Sequence, residues 1–236
     1  MNLDGFKLIS ASEVQGCGVM TYDIETIPQQ SELTGAQKEY VGKRLDAFAK
    51  YENKKDVSSE EKLAWKNKIM ATNPFLGEIL VIGMYFPEKS GYLVLSQKNL
   101  KEEQMLTSFW SLIGGIKKIR GFNQISFDNR FVAVRSLKYN ITPTNKNFMN
   151  WRKFQRYPQY DAMKILADWD NRQSPGLSIA SEHVGIPSPK EGAVRAETVY
   201  ENYLNGNISE IEYYCLKDVK ATNTLIEEML RYFPEY

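Results

Sequence analysis

The sequence predicts an α/β or α+β protein in which helices cover a sheet. Three observations lead there. Apolar runs with strand character fall mainly in the first half, at residues 19–26, 78–85, 92–95 and 119–122. Helical spacing fills the gaps between them and most of the second half. The 236 residues are 42% apolar and 12% aromatic, enough to bury a sizeable core, which excludes wholesale disorder. One core carrying an insertion is the expected organisation, with no internal repeat and no low-complexity tract.

The first strand reads Val19-Met20-Thr21-Tyr22-Asp23-Ile24-Glu25-Thr26. Side chains alternate along a strand, so Asp23 and Glu25 project the same way. Two neighbouring carboxylates repel, and burial worsens the repulsion. A hard divalent cation between them reverses the sign, because carboxylate oxygens suit Mg²⁺ or Mn²⁺. The plain alternative is an exposed acidic turn.

From Gln29 to about Thr72 the chain turns rich in Lys and Glu and short of β-branched residues. Helices are expected over 37–51 and 59–70, with Ser58 or Ser59 as a cap and Glu61 or Lys62 in the first turn. The stretch reads as a charged helical insertion with solvated faces of mixed sign. The functional alternative is that Lys43, Arg44, Lys54, Lys55, Lys66 and Lys68 guide a nucleic-acid backbone.

Asn73-Pro74 marks a boundary, because the residue before proline is pushed out of helical geometry. The near-continuous apolar run 78–85 suits a central strand, 87–91 is turn chemistry, and 92–95 returns as the second arm of a hairpin. Met105, Phe109, Leu112 and Ile116 give helical spacing over 102–117, and a short strand follows at 119–122. A helix over 127–139 carries the stripe Phe127, Phe131, Val134 and Leu137. A basic and aromatic segment spans 146–160. Short helices are expected at 161–170 and 177–184, then longer ones at 195–205 and 209–231.

The formal net charge is +1, from 30 basic and 29 acidic side chains, so affinity for nucleic acid must come from local patches. Cys17 and Cys215 supply no disulfide framework. No stretch approaches the roughly 20 apolar residues of a membrane span. The N-terminus lacks the basic-then-apolar order of a secretion signal. A soluble cytoplasmic protein with no membrane partner is expected.

Two further acids stand at informative places. Asp128 closes Gly121-Phe122-Asn123-Gln124-Ile125-Ser126-Phe127-Asp128, where a strand ends and a helix begins. The free amides of that first turn are expected to keep it ionised. Its alternative role is to cap the helix. Asp218 lies four residues after Tyr214, on one face of the last helix. That face borders the apolar stripe Ile211, Cys215, Val219, Thr222 and Ile226. Ser209 and Glu212 have the spacing of a capping box. Taken alone, Tyr214 and Asp218 make no more than a hydrogen bond at the core's rim.

In order, Asp-x-Glu at a strand end, Asn-x-x-x-Phe-Asp at a strand-to-helix junction and Tyr-x-x-x-Asp in a late helix resemble the tyrosine branch of the DEDD superfamily of 3′→5′ exonucleases. Asp23-Ile24-Glu25-Thr26 and Tyr214-Cys215-Leu216-Lys217-Asp218 are similar to the proofreading domain of family B DNA polymerases. Asp161-Ala162-Met163, Leu177-Ser178-Ile179-Ala180 and Gly185-Ile186-Pro187 resemble the stand-alone predicted exonucleases related to that domain. The likeness runs from Val19 to Phe233, outside the insertion. The histidine branch would carry His at position 213, where this chain has Tyr213. The single histidine, His183, lies far upstream and reads as structural.

The resemblance implies an RNase H-like fold and two divalent metal ions, Mg²⁺ or Mn²⁺, held by Asp23, Glu25, Asp128 and Asp218. Asp23 would bridge, Glu25 and Asp218 would complete the site of the attacking water, and Asp128 would hold the second ion partly through water. Tyr214, with an ordinary pKa of about 10, is expected to orient the nucleophile rather than act as a base. Thr26, Asn123 and Phe127 are the expected contacts to terminal nucleotides. Trp151, Arg152 and Arg156 combine a stacking ring with cations, which suits single-stranded nucleic acid. Their alternative is a loop packed on the body. The expected substrate is single-stranded DNA, shortened from its 3′ end. An RNase D-like exoribonuclease and a non-catalytic binding module are the alternatives.

Overall fold

The computed structural model describes residues 3, 5–54, 56–187 and 194–235. Five strands form one sheet: β1 (Val19–Pro28), β2 (Gly77–Phe86), β3 (Gly91–Ser96), β4 (Lys118–Gly121) and β5 (Gln159–Asp161), in the order β3-β2-β1-β4-β5. β2 is antiparallel to both neighbours, whereas β1, β4 and β5 run parallel. Between β1 and β2 come α1 (Gly35–Tyr51) and α2 (Ser59–Ala71), close to the expected bounds. Ser58 and Glu61 exchange the two bonds of a capping box at 3.1 and 3.2 Å, which fixes where α2 starts.

Strand alternation sorts the core onto two faces. Tyr22 and Ile24 of β1 turn to one side, joining Phe109 and Trp110 of α3 (Glu102–Ile113) and Phe131 of α4 (Asp128–Lys138). Ile27 turns to the other side and meets Ile211 and Cys215 of α8 (Ile208–Met229). All five stripe residues of α8 are buried, as their spacing predicts. Full burial of each larger aliphatic side chain contributes roughly 1.5–3 kcal/mol, so the stripe anchors α8 firmly across the sheet. The chain between β5 and α8 forms α5 (Ala162–Leu166), α6 (Leu177–His183) and α7 (Val199–Leu204). Among the described residues no helix is long and apolar enough to cross a membrane.

Several elements differ from the sequence reading. The helix expected over 102–117 ends at Ile113, because Gly114-Gly115 follows and glycine disfavours helix. Of the stripe expected on α4 only Phe131 is fully buried, and Leu137 is 77% exposed. The inward face of α4 instead holds Asp128, Asn129, Val132, Arg135 and Ser136, whose polar side chains find buried partners. Arg135 forms a paired contact with Glu102, which also accepts the Ile79 N–H at 2.8 Å. The helix expected at 161–170 shrinks to α5, and residues 159–161 pair instead as β5. The segment 195–205 is a 3-10 turn, Ala196–Thr198, followed by α7. The capping box expected at Ser209 does not form. Glu212 is engaged by the Ser96 hydroxyl of β3, and Ser209 accepts from Lys98 at 2.8 Å.

Candidate active site

The site begins where β1 loses a neighbour. β4 pairs with β1 only at Val19, Met20 and Thr21. Beyond them, that edge of β1 needs other acceptors for its amides. The Ile24 N–H donates to Asp128 Oδ1 at 3.0 Å, which pins the first turn of α4 to the strand.

Asp23 and Glu25 leave β1 on the opposite face, toward α8. One carboxylate oxygen of each lies within 4.8 Å of the other and of the Cys215 Sγ. The thiol faces the Asp23 carbonyl at 3.6 Å and Asp23 Oδ2 at 3.9 Å. Burial, then the neighbouring carboxylates, push the Cys215 thiol well above its ordinary pKa, so it is a neutral donor here. α8 comes this close because β2 carries Gly83 beneath it, where a Cβ would meet Leu216 and Val219 at 3.3 Å. One turn apart on α8, Tyr214 and Asp218 are joined by a side-chain hydrogen bond.

The electrostatics are one-sided. Burial pushes Asp23 well above the usual carboxylate range, and Asp128, Glu25 and Asp218 push it further. Glu25 moves the same way through burial, Asp218 and Asp128. Asp128 rises to about 7, chiefly through burial, while its own helix amide and that of Ile24 offset part of the rise. Desolvation outweighs the helix terminus because the carboxyl is 2% exposed, so without a cation Asp128 holds its proton more tightly than the helix end alone implies. No basic side chain counters the rise at Asp23 or Glu25. A cluster of hard oxygen donors with no internal counter-charge fits a divalent cation. Tyr214 also rises, through burial and the charge of Asp218, and stays protonated at any working pH.

Residues 85–231, more than half of the chain, match the family described as predicted 3′→5′ exonucleases related to the exonuclease domain of PolB. The chain belongs to this family. No curated protein matches the chain. Among solved structures, the family B DNA polymerase of the hyperthermophilic archaeon Pyrobaculum calidifontis aligns over 91% of this chain, with a TM-score of 0.60 and 13% identity. The chain spans 24% of that polymerase's length. The shared architecture is RNase H-like, as the sequence resemblance implies.

The remaining sequence candidates of this PolB-related chain are scattered. The Thr26 hydroxyl donates to the Ala71 carbonyl of α2 at 2.7 Å. Asn123 takes a left-handed backbone (φ 64°), which asparagine tolerates, and Phe127 packs on Phe131 with ring centroids 5.5 Å apart. These three border the carboxylates in the chain. Trp151 is partly buried and donates its indole N–H to the Phe148 carbonyl at 2.5 Å, and Arg152 is exposed. Arg156 lies over the Phe233 ring at 5.5 Å. Two residues beyond Phe233, Glu235 pairs with Lys118 and Arg120 of β4.

Two supporting groups escaped the sequence reading. Asp161 accepts the N–H groups of Asn123 (2.9 Å), Lys164 (3.1 Å) and Ile125 (3.1 Å), folding the turn that delivers Asp128. Tyr22, Asn129 and Gln159 form a buried hydrogen-bonded chain linking β1, α4 and β5. The only signal for Asp161 was its place just before Ala162-Met163. Cys215 was visible as part of an apolar stripe and of the motif between Tyr214 and Asp218, with nothing to mark its approach to Asp23.

Proposed function

We propose that this chain is a tyrosine-branch, metal-dependent 3′→5′ exonuclease that shortens single-stranded DNA, built as one exonuclease domain with a charged insertion over 29–72. The observation that supports the reading is the approach of Asp23 and Glu25 to within 4.8 Å of each other beside α8, with Asp128 and Asp218 near enough to raise both carboxyls and Tyr214 bonded to Asp218. The four carboxylates are the groups that would hold two divalent cations, and such a pair stabilises both the attacking and leaving oxygens of an in-line phosphoryl displacement.

The chain's own part is positioning. Strand alternation and the close approach at Gly83 hold Asp23, Glu25 and Asp218 on one side, while the Ile24 amide holds Asp128 on the other. Tyr214, protonated and bonded to Asp218, serves as a donor that orients the attacking water. Cys215 keeps the floor of the crevice neutral. The test is a digestion of matched DNA and RNA oligonucleotides, each blocked at one end, with Mn²⁺ or with chelator. Stepwise release of mononucleotides from free 3′ DNA ends, and only with the metal, is expected. Cleavage that ignores the 3′ block, or that persists in chelator, would overturn the reading.

A further inference from the structure

Among the described cations of the insertion, three are paired with acids, Lys50, Lys62 and Lys66 are unpaired at the surface, and two unpaired ones, Arg44 and Lys68, converge with Arg130 of α4. Lys38 pairs with Glu32 at 2.9 Å, Lys43 with Glu39 at 2.6 Å, and Lys54 with Glu61, as expected of a solvated mixed-sign face. Arg44 of α1, Lys68 of α2 and Arg130 of α4 make no ion pair among the described residues. All three line one cleft of about 250 Å³, with Tyr40, Thr72 and Asn73. The three cations are exposed, so solvent screens much of their mutual repulsion, but with no acid in the cleft an anion between them meets attraction from three helices.

The neutral groups of the cleft suit the same ligand. Asn73 Nδ2 donates to the Tyr40 hydroxyl oxygen at 3.3 Å, which leaves the Tyr40 proton directed elsewhere. A guanidinium presents several N–H groups in a fork that matches phosphate oxygens.

The cleft adjoins the carboxylates through the chain on two sides. Thr72 follows Ala71, whose carbonyl takes the hydroxyl of Thr26, the neighbour of Glu25. Arg130 lies two residues beyond Asp128, about 3 Å along the axis of α4 but roughly 200° around it, so the buried Asp128 and the exposed Arg130 leave the helix on different sides. Phe127 and Arg130 are three apart and so share a face of that helix.

We propose that this cleft binds a backbone phosphate of the nucleic-acid strand on the 5′ side of the residue being removed, making the insertion a strand clamp. The proposal rests on the exonuclease reading above, and it assigns the insertion a function beyond solvated surface. Arg44, Lys68 and Arg130 offset the repulsion between the acidic crevice and an incoming polyanion.

The test measures binding without turnover. In an Asp23→Asn background, with Mn²⁺, the anisotropy of a fluorescent single-stranded oligonucleotide is followed across a salt series. For a single strand, each phosphate that the protein no longer neutralises lowers the slope of log K against log salt by about 0.7. Arg44→Gln with Lys68→Gln should lower the slope by about 0.7 to 1.4 and weaken affinity at low salt by about tenfold or more. Arg44→Lys should keep the slope, and so should Lys43→Gln, which removes a cation already paired on the same helix. An unchanged slope in the double variant overturns the clamp. So does oligonucleotide binding that is unaffected while competition by a free mononucleotide disappears, because the cleft would then hold product instead of strand. Failure of the parent chain to degrade DNA would defeat the exonuclease reading, and it is read in a separate assay from this slope.

Discussion

Gly83 stands opposite Asp23 in the β1–β2 ladder, and a Cβ added there would lie 2.8 Å from the Cys215 sulfur. The absence of a side chain at one position of β2 therefore sets how closely α8, with Tyr214 and Asp218, approaches the carboxylates of β1. Gly83→Ala should destabilise the protein by about 1–3 kcal/mol through overpacking. It should also cut exonuclease activity by more than that loss of folded protein explains. Adding Cys215→Ala should recover part of both, and a double-mutant cycle of melting and rate reads the coupling. Additive effects would separate Gly83 from the seating of α8.

Tyr214→Phe removes a hydroxyl and leaves the ring in place. The fold should survive with a melting temperature close to the parent's, while the rate falls by about 10²–10³, the scale of losing one positioned donor. Since Tyr214 stays protonated, the pH dependence of the remaining activity should keep the parent's shape. A basic limb that disappears in the variant would mark Tyr214 as a titrating base.

The carboxylate cluster predicts how pH and metal act together on stability. Asp128 rises from its ordinary 3.8 to about 7, and Asp23 and Glu25 move the same way. The metal-free folded state therefore binds protons more tightly than the unfolded chain. That stabilisation is complete below about pH 4 and is lost as pH climbs through about 7. A bound cation needs the deprotonated forms, so it gains where the protons are lost. The difference in melting temperature between Mn²⁺ and chelator should widen from pH 5 to pH 8, reaching several degrees, or about 2–4 °C per kcal/mol at this chain length. A difference that stays flat with pH would remove these acids from the metal site.

The Glu102–Arg135 pair gives a prediction about stability alone. Both side chains are at most 3% exposed, and Glu102 also accepts from the Ile79 amide and the Tyr139 hydroxyl. Glu102→Ala leaves a buried guanidinium uncompensated and should cost about 3–5 kcal/mol in urea unfolding. Replacing both residues by apolar side chains of similar volume should cost less than the single change.

How much of this was legible in the sequence depends on the length of each signal. β1 and β2 announce themselves through long apolar runs, and alternation along β1 is rigid enough to put Asp23 and Glu25 on one face. α8 carries a repeating stripe over 22 residues, so its buried face is readable. β5 is three residues long, too short for any period, and becomes a strand only because β4 lies beside it. The inward face of α4 misleads because it is partly polar: Arg135 and Asn129 are buried against partners far along the chain. Within the proposed site, the four acids and Tyr214 were named through the family resemblance that their motifs carry. The contribution of Gly83 was not, since a glycine inside an apolar run carries no mark of which helix will cover it. Nor could the high pKa of Asp128 be foreseen, because helix-terminus reasoning takes no account of how deeply the carboxyl is enclosed.

α8 follows every other described element, yet it brings Tyr214 and Asp218 to a crevice whose first acids sit on β1. During synthesis the early part of the chain emerges first, so a growing polypeptide displays Asp23 and Glu25 before Tyr214 and Asp218, the later members of the proposed catalytic set. In the proposed mechanism hydrolysis waits until α8 has docked against β1.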